Sequence, residues 1–165
     1  QTTETENKIT LDASGNAAAG DQSTENKTAE PSTLDELFGG ENLSVTYTGA
    51  EIAANYMEGG YYSLDAEQGK TFVIVGIDIT NSGADEIAID NFAKTPKFSV
   101  MVNGQEKAEE ENTILPSDFA LYQETVPAGV TENTILLFQV PDSVTSVDSL
   151  DLFVNISGTN YQITL

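Results

Sequence analysis

The stretch Thr71–Thr80, "TFVIVGIDIT", limits the possible folds of this chain more than any other. Read at period two, it places Val73, Val75, Ile77 and Ile79 on one face and Phe72, Ile74, Gly76, Asp78 and Thr80 on the other. One face is branched aliphatic throughout, so a second layer must cover it. The opposite face is apolar for half its length and then turns polar at Asp78, beside the "NSGAD" turn. Asp78 is therefore expected to point outward near the strand's end and not to be a buried functional carboxylate. Gly76 is the odd residue, because a mid-strand glycine predicts a bulge or a close neighbour over that face. An N-terminal segment docked as an extra strand, "KITLD", is one candidate for that neighbour.

The same period recurs along the chain. "NLSVTYTGAEI" alternates Leu43, Val45 and Tyr47 against Ser44, Thr46 and Thr48. Further strands are predicted at 71–80, 86–90, 97–103, 118–125, 133–140, 147–156 and 160–165. They are separated by the turn sequences "NSGAD", "VNGQE", "PAG", "PDS" and "SGTN". Asn103-Gly104 is the dipeptide of a type I′ hairpin. Many short strands with no long helix between them predict an all-β, antiparallel β-sandwich of about seven to nine strands. Before the strands, "STLDELFGG" sets Thr33 and Glu36 at capping-box spacing and Gly39 as a stop, which predicts a helical turn or two. Residues 1–33 are rich in Thr, Ala, Glu, Asn and Gly, with few large apolar groups, and read as a flexible tether; 34–165 read as the folded domain.

Composition narrows the chemistry. The 165 residues hold 27 acids against 6 basic residues, a net charge of -21, with 39% hydrophobic content that supports a core. All the basic residues are lysines, so no arginine is present to fork onto phosphate, and nucleic-acid binding is excluded as a class. Without cysteine or histidine, disulfides, thiolate nucleophiles, ordinary zinc sites and histidine triads are all absent. No cofactor is expected. The charge itself reads first as a solubility device.

Four motifs, taken in order, carry a resemblance: "GKTFVIVGIDITNSGADEIAI", "FSVMVNGQE", "VPAGVTENTILLFQVP" and "SLDLFV". Their landmarks are Gly69, Lys70, Asn81, Asn103, Gly104, Ala128, Gly129, Val140 and Pro141. The arrangement resembles a family of exported bacterial domains of unknown function, common in Gram-positive lipoproteins, whose immunoglobulin-like fold is shared by a small mycobacterial secreted antigen. The resemblance spans about residues 43 to 165. It implies an immunoglobulin-like sandwich, a signal peptide, and an extracytoplasmic protein, either secreted or anchored to the cell membrane through a lipidated cysteine ahead of Gln1. It implies no catalytic residues. Gly76 and Asp78 depart from the family's usual small or β-branched polar residues at those positions.

Candidate sites follow from residue types. "NYMEGGYYS" gathers Tyr56, Met57, Tyr61 and Tyr62 around Gly59-Gly60, as a recognition loop does and as a cover for the end of a sandwich also does. These four are the expected ligand-binding residues. No catalytic residue and no metal ligand is assigned. The acid pairs Asp148/Asp151 and Asp85/Asp90 are the candidates for a carboxylate-based carbohydrate-active enzyme, the alternative reading. Glu109, Glu110 and Glu111 repel one another and are expected to seek solvent or a cation, which suggests a cation-stabilised spacer domain as a further alternative. Lys70, Asn155 and Asp78 are the residues for an intramolecular amide. The leading expectation is a monomeric, non-enzymatic module at the cell envelope, with an unknown protein or glycan as partner.

Overall fold

The computed structural model describes residues 28–165. The segment "KITLD" lies outside the described residues.

Strands β1 (Glu30–Ser32), β7 (Lys97–Val102), β8 (Glu106–Glu109), β11 (Leu150–Ile156) and β12 (Thr159–Ile163) form one sheet in the order β1-β12-β11-β7-β8. Facing it is a three-stranded sheet, β10-β5-β2, built from β2 (Leu43–Ala53), β5 (Lys70–Asn81) and β10 (Thr131–Pro141). All pairings in both sheets are antiparallel except that of β1 with β12. With β5, β7, β10, β11 and β12 taken as strands B, C, E, F and G, the sheets are A-B-E and C-F-G with additions, which is the immunoglobulin-like arrangement. Two small ladders complete the set: a hairpin of β3 (Asn55–Glu58) and β4 (Tyr62–Asp65), and β6 (Ile87–Ala88) against β9 (Thr125–Val126).

The period-two reading of β5 holds in the structure. Val73, Val75, Ile77 and Ile79 are buried in the main core with Val100, Val102, Leu136, Phe138, Leu152 and Val154. On the other face, Phe72 and Ile74 join Leu115 and Leu137 in a second, smaller core. Asp78 points outward and accepts a 2.7 Å hydrogen bond from Asn133 Nδ2 of the adjacent strand. The register of β2 on β5 shifts between Tyr47 and Gly49, which is the bulge predicted opposite Gly76. The Thr48 hydroxyl fills the place a Gly76 Cβ would occupy, so among the described residues the close neighbour is Thr48. Gly76→Ala is therefore expected to destabilise the domain by about 2 kcal/mol, and Thr48→Ala in the same chain to restore roughly half of that. Urea denaturation of the two single variants and the double variant measures the coupling.

The helix α1 (Leu34–Phe38) has the predicted capping box. Thr33 Oγ1 accepts from the Glu36 N–H, and the Glu36 carboxylate accepts from the Thr33 N–H. Hydrogen bonds from the Ser32 hydroxyl and the Thr33 backbone hold the Glu36 carboxyl below its usual range. Phe38 stacks with Phe98 and meets Phe119 edge-on, at 5.8 and 5.0 Å between ring centroids. Lys94 Nζ lies 4.9 Å above the Phe38 ring and donates to Leu37 O, closing the helix's C-terminal end.

Three expectations need correcting. The predicted strand 118–125 is mostly turn: Leu121 and Tyr122 donate backbone bonds to Asp118 and Phe119, and only β9 remains extended. Its apolar residues reach the core through consecutive turns, which mimic alternation. The expected tether 1–33 includes Glu30–Ser32, which pair in parallel with Tyr161–Ile163. The proposed trio Lys70, Asn155 and Asp78 is not assembled: Lys70 and Asp78 lie eight residues apart on β5, about 26 Å of strand, and Asn155 is in the other sheet.

Asn103 and Gly104 take the left-handed conformation, φ 53° and 66°, as the Asn-Gly pair predicts. The Asn103 side chain also accepts from the Asp148 and Ser149 N–H groups and donates to Ser146 O, pinning the loop before β11.

Candidate functional sites

The hairpin β3–β4 lies between β2 and β5 in sequence and packs over the outer face of the three-stranded sheet. Tyr56 and Leu64 are cross-strand partners, and both pack against the second core of Phe72, Ile74, Leu115 and Leu137. Beyond them Glu58 receives two hydrogen bonds from Ser117, from its N–H at 3.2 Å and its hydroxyl at 2.5 Å. Tyr56 OH lies 3.4 Å from the same hydroxyl. The hairpin is thus fastened to the segment 110–119, which itself lines the edge of β10 through Glu111 N–H to Leu137 O and Phe119 N–H to Ile135 O. Gly59 and Gly60, with φ 59° and 73°, make the turn.

This anchoring separates the four predicted site residues. Tyr56 is half-buried and works as the anchor. Tyr61 is 93% exposed, Met57 66% and Tyr62 42%, so the tip presents two tyrosines and a methionine to solvent on a fixed support. Ile114, on the fastened segment, is also exposed.

The predicted carboxylate pairs have local duties. Asp90 accepts from Ala93 N–H and Gln123 Nε2, and the Asp85 backbone carbonyl accepts from Asn81 Nδ2. Asp148 accepts from the Ser146 hydroxyl, and Asp151 is an exposed residue of β11 contacted by Gln162. None of the four acids lines the clefts described below.

The structure instead couples two other acids. Asp118 is buried, with Oδ2 accepting from the Thr113 hydroxyl and Oδ1 from the Ala120 N–H. Glu110 shares a hydrogen bond with it; burial first, then the Asp118 charge, pushes the Glu110 carboxyl up to about 9. The expectation that Glu109, Glu110 and Glu111 all seek solvent or a cation fails at Glu110. Its backbone pairs toward Phe98 and Phe138, and its side chain interacts with Asp118. Nothing in three identical neighbours marks the middle one, half-buried, as the one drawn toward Asp118.

Glu110 also lines a cleft of about 640 Å³ with Pro96, Lys97, Phe98, Ser99, Glu109, Asn112 and Asn155. Sequence reasoning missed this cleft because its residues come from three separated stretches of chain. Among the described residues, no group of three or more acidic, histidine or cysteine side chains is placed to hold a metal ion, and no helix is long and apolar enough to cross a membrane.

No protein-family model and no curated protein matches the chain. Solved structures similar to it include an uncharacterized β-sandwich protein from Clostridium difficile 630, at 18% identity over 75% of this chain and 85% of that one, with a TM-score of 0.46. A conserved hypothetical protein from Bacillus anthracis aligns at 11% identity over 74% and 88% of the two chains, TM-score 0.40. A Bacillus subtilis protein named "putative lipoprotein" aligns at 11% identity over 74% and 36%, TM-score 0.38. The chain is a β-sandwich on its own strand order and register.

Proposed function

We propose that this domain is a non-catalytic binding module of the bacterial cell envelope, and that the β3–β4 hairpin tip is its recognition surface. The observation that carries the reading is the contrast within the hairpin. Tyr56, Leu64 and Glu58 fix it to the body, while the side chains of Tyr61, Met57 and Tyr62 stand exposed to solvent. Aromatic side chains on a rigid support lose little conformational entropy on binding, which is why recognition surfaces favour them. The partner class is a protein or glycan of the envelope. The extracytoplasmic, lipid-anchored location rests on the sequence resemblance.

The test is a double variant, Tyr61→Ser with Met57→Ser, compared with the unmodified domain for binding to washed cell envelopes. Both positions are exposed, so the melting temperature is expected to stay within about 2 °C. Retained binding is expected to fall at least about tenfold, the effect of losing a hot-spot aromatic. Equal retention by both proteins removes the hairpin tip from the function.

A further inference from the structure

We propose that the outward face of the five-stranded sheet is a second binding site, a groove for a neutral oligosaccharide, independent of the hairpin tip. The 640 Å³ cleft adjoins another of about 270 Å³, and the two share Lys97, Ser99 and Asn155. The smaller lies on the side of the sheet away from the core, and the larger continues from it round the sheet's end, where Pro96, Phe98 and Glu110 also line it. In β11, Leu152 and Val154 are buried in the core, so Phe153 and Asn155 face out; in β7, Phe98, Val100 and Val102 face in, so Lys97, Ser99 and Met101 face out. Register places Asn155 between Lys97 and Asn160, and Phe153 between Ser99 and Gln162. A half-buried aromatic ring thus sits beside a row of amides.

Charge identifies the ligand as neutral. The chain carries -21 overall, yet this groove is close to balanced. Lys97 and Lys107 line it, set against Glu109 on β8 and Asp151 at its margin, while Glu110 keeps its proton. Among the described residues, Lys70 is paired with Glu67 and Lys94 with Leu37 O, so the two lysines in the groove are the ones without such partners. An anion would meet the field of the whole molecule, and a cation would meet two ammonium groups.

Hydrogen bonding identifies it as polyhydroxylated. Strands β7, β11 and β12 each have a neighbour on both sides, so an extended peptide finds no open ladder to join. Side chains carry the available capacity instead. Asn155 Nδ2 donates to Asn160 Oδ1 at 2.6 Å, and Gly158 N–H donates to Asn155 Oδ1. This leaves the Asn160 amide nitrogen, one Asn155 hydrogen, the Asn112 amide and the Ser99 hydroxyl for a ligand. Adjacent sugar hydroxyls, which donate and accept together, match such amides, and the apolar face of a sugar ring matches Phe153. The combined size is in the range of ligand clefts.

The experiment is a titration of the ¹⁵N-labelled full chain with chitotetraose and, separately, maltotetraose at millimolar concentration, followed by amide chemical shifts. Saturable shifts confined to residues around Lys97–Met101, Asn112 and Phe153–Asn160 are expected with at least one sugar. Phe153→Ala and Asn112→Ala are each expected to weaken that binding about tenfold or more, whereas Tyr61→Ser leaves it unchanged. Asn112 is an exposed loop residue, so its variant remains informative if Phe153→Ala fails to fold. No shift with either sugar overturns the proposal, as does binding that the groove variants leave intact. Shifts centred on the hairpin tip overturn it too while supporting the first site, and a response only to an acidic or basic peptide of similar length overturns it in favour of a protein partner.

Discussion

Asn81→Ala is expected to lower the stability of the domain by about 3 kcal/mol, a fall in melting temperature of roughly 10 °C. Asn81 is 0% exposed at the end of β5. Its Nδ2 donates to Asp85 O at 2.8 Å and Val126 O at 3.0 Å, and its Oδ1 accepts from Gly83 N–H at 2.9 Å. One side chain therefore closes the turn after β5 and ties it to β9. Alanine leaves two carbonyls and one N–H without these partners in a place water reaches poorly, and that desolvation cost exceeds the net worth of the bonds themselves. Asn81→Asp is the sharper variant. It keeps the acceptor for Gly83 but turns a charged oxygen toward two carbonyls, so it is expected to be at least as damaging at neutral pH and to recover partly in acid. Thermal and urea unfolding check both variants, and an Asn81→Ala domain that melts within 2 °C of the parent would rule out this account.

The second large effect is on pH dependence. The Glu110 carboxyl is raised from an ordinary 4.5 to about 9 in the folded state, so between these values the folded chain holds a proton that the unfolded chain has lost. Stability from this group is fully present below about 4.5 and is lost as pH rises through 9, with a slope of at most about 1.4 kcal/mol per pH unit. Glu110→Gln supplies an amide N–H to Asp118 without needing a proton. The variant is expected to flatten the stability profile between pH 6 and 9 and to be about 1–2 kcal/mol more stable than the parent at pH 8. Urea midpoints at intervals across that range measure it; parallel profiles for parent and variant would show that Glu110 is not the titrating group. Asp118→Asn is expected to flatten the profile less, since it removes the charge that faces Glu110 but leaves the burial that is the larger cause.

The sandwich was legible because alternation is a local property. Val73, Val75, Ile77 and Ile79 need only their own spacing to declare a face, and Thr33 with Glu36 need only three residues to declare a helix start. Asn103-Gly104 is local in the same way. What was not legible depended on partners distant in sequence. The hairpin 55–65 has the Gly59-Gly60 turn flanked by Tyr56 and Leu64, yet it becomes a ladder only because Phe72, Ile74 and Leu137 offer it a surface. Strand β8 exists because β7 folds back through the Asn-Gly turn, and its "EKAE" sequence carries only Ala108 inward. Segment 118–125 shows the reverse error, since Phe119, Ala120 and Tyr122 are spaced like a strand but reach the core from turns held by Asp118. Of the four residues read from "NYMEGGYYS", Met57, Tyr61 and Tyr62 are exposed and Tyr56 is half-buried as the hairpin's anchor. The polar groove was not found, because Lys97, Asn112 and Asn155 have no common sequence signal.

The parallel pairing of β1 with β12 has a mechanical consequence. Glu30 lies beside Tyr161 and Ser32 beside Ile163, with Thr164 N–H continuing the ladder onto Ser32 O. Residue 28 and residue 165 therefore leave this pair from opposite ends. A pull between them slides the two strands along each other and strains their hydrogen bonds together, whereas a hairpin pulled from its open end breaks one bond at a time. Rupture by such a load is governed by the unfolding rate and not by equilibrium stability. In a domain held at one end and engaged with a partner at its body, this short ladder works as a clamp against traction.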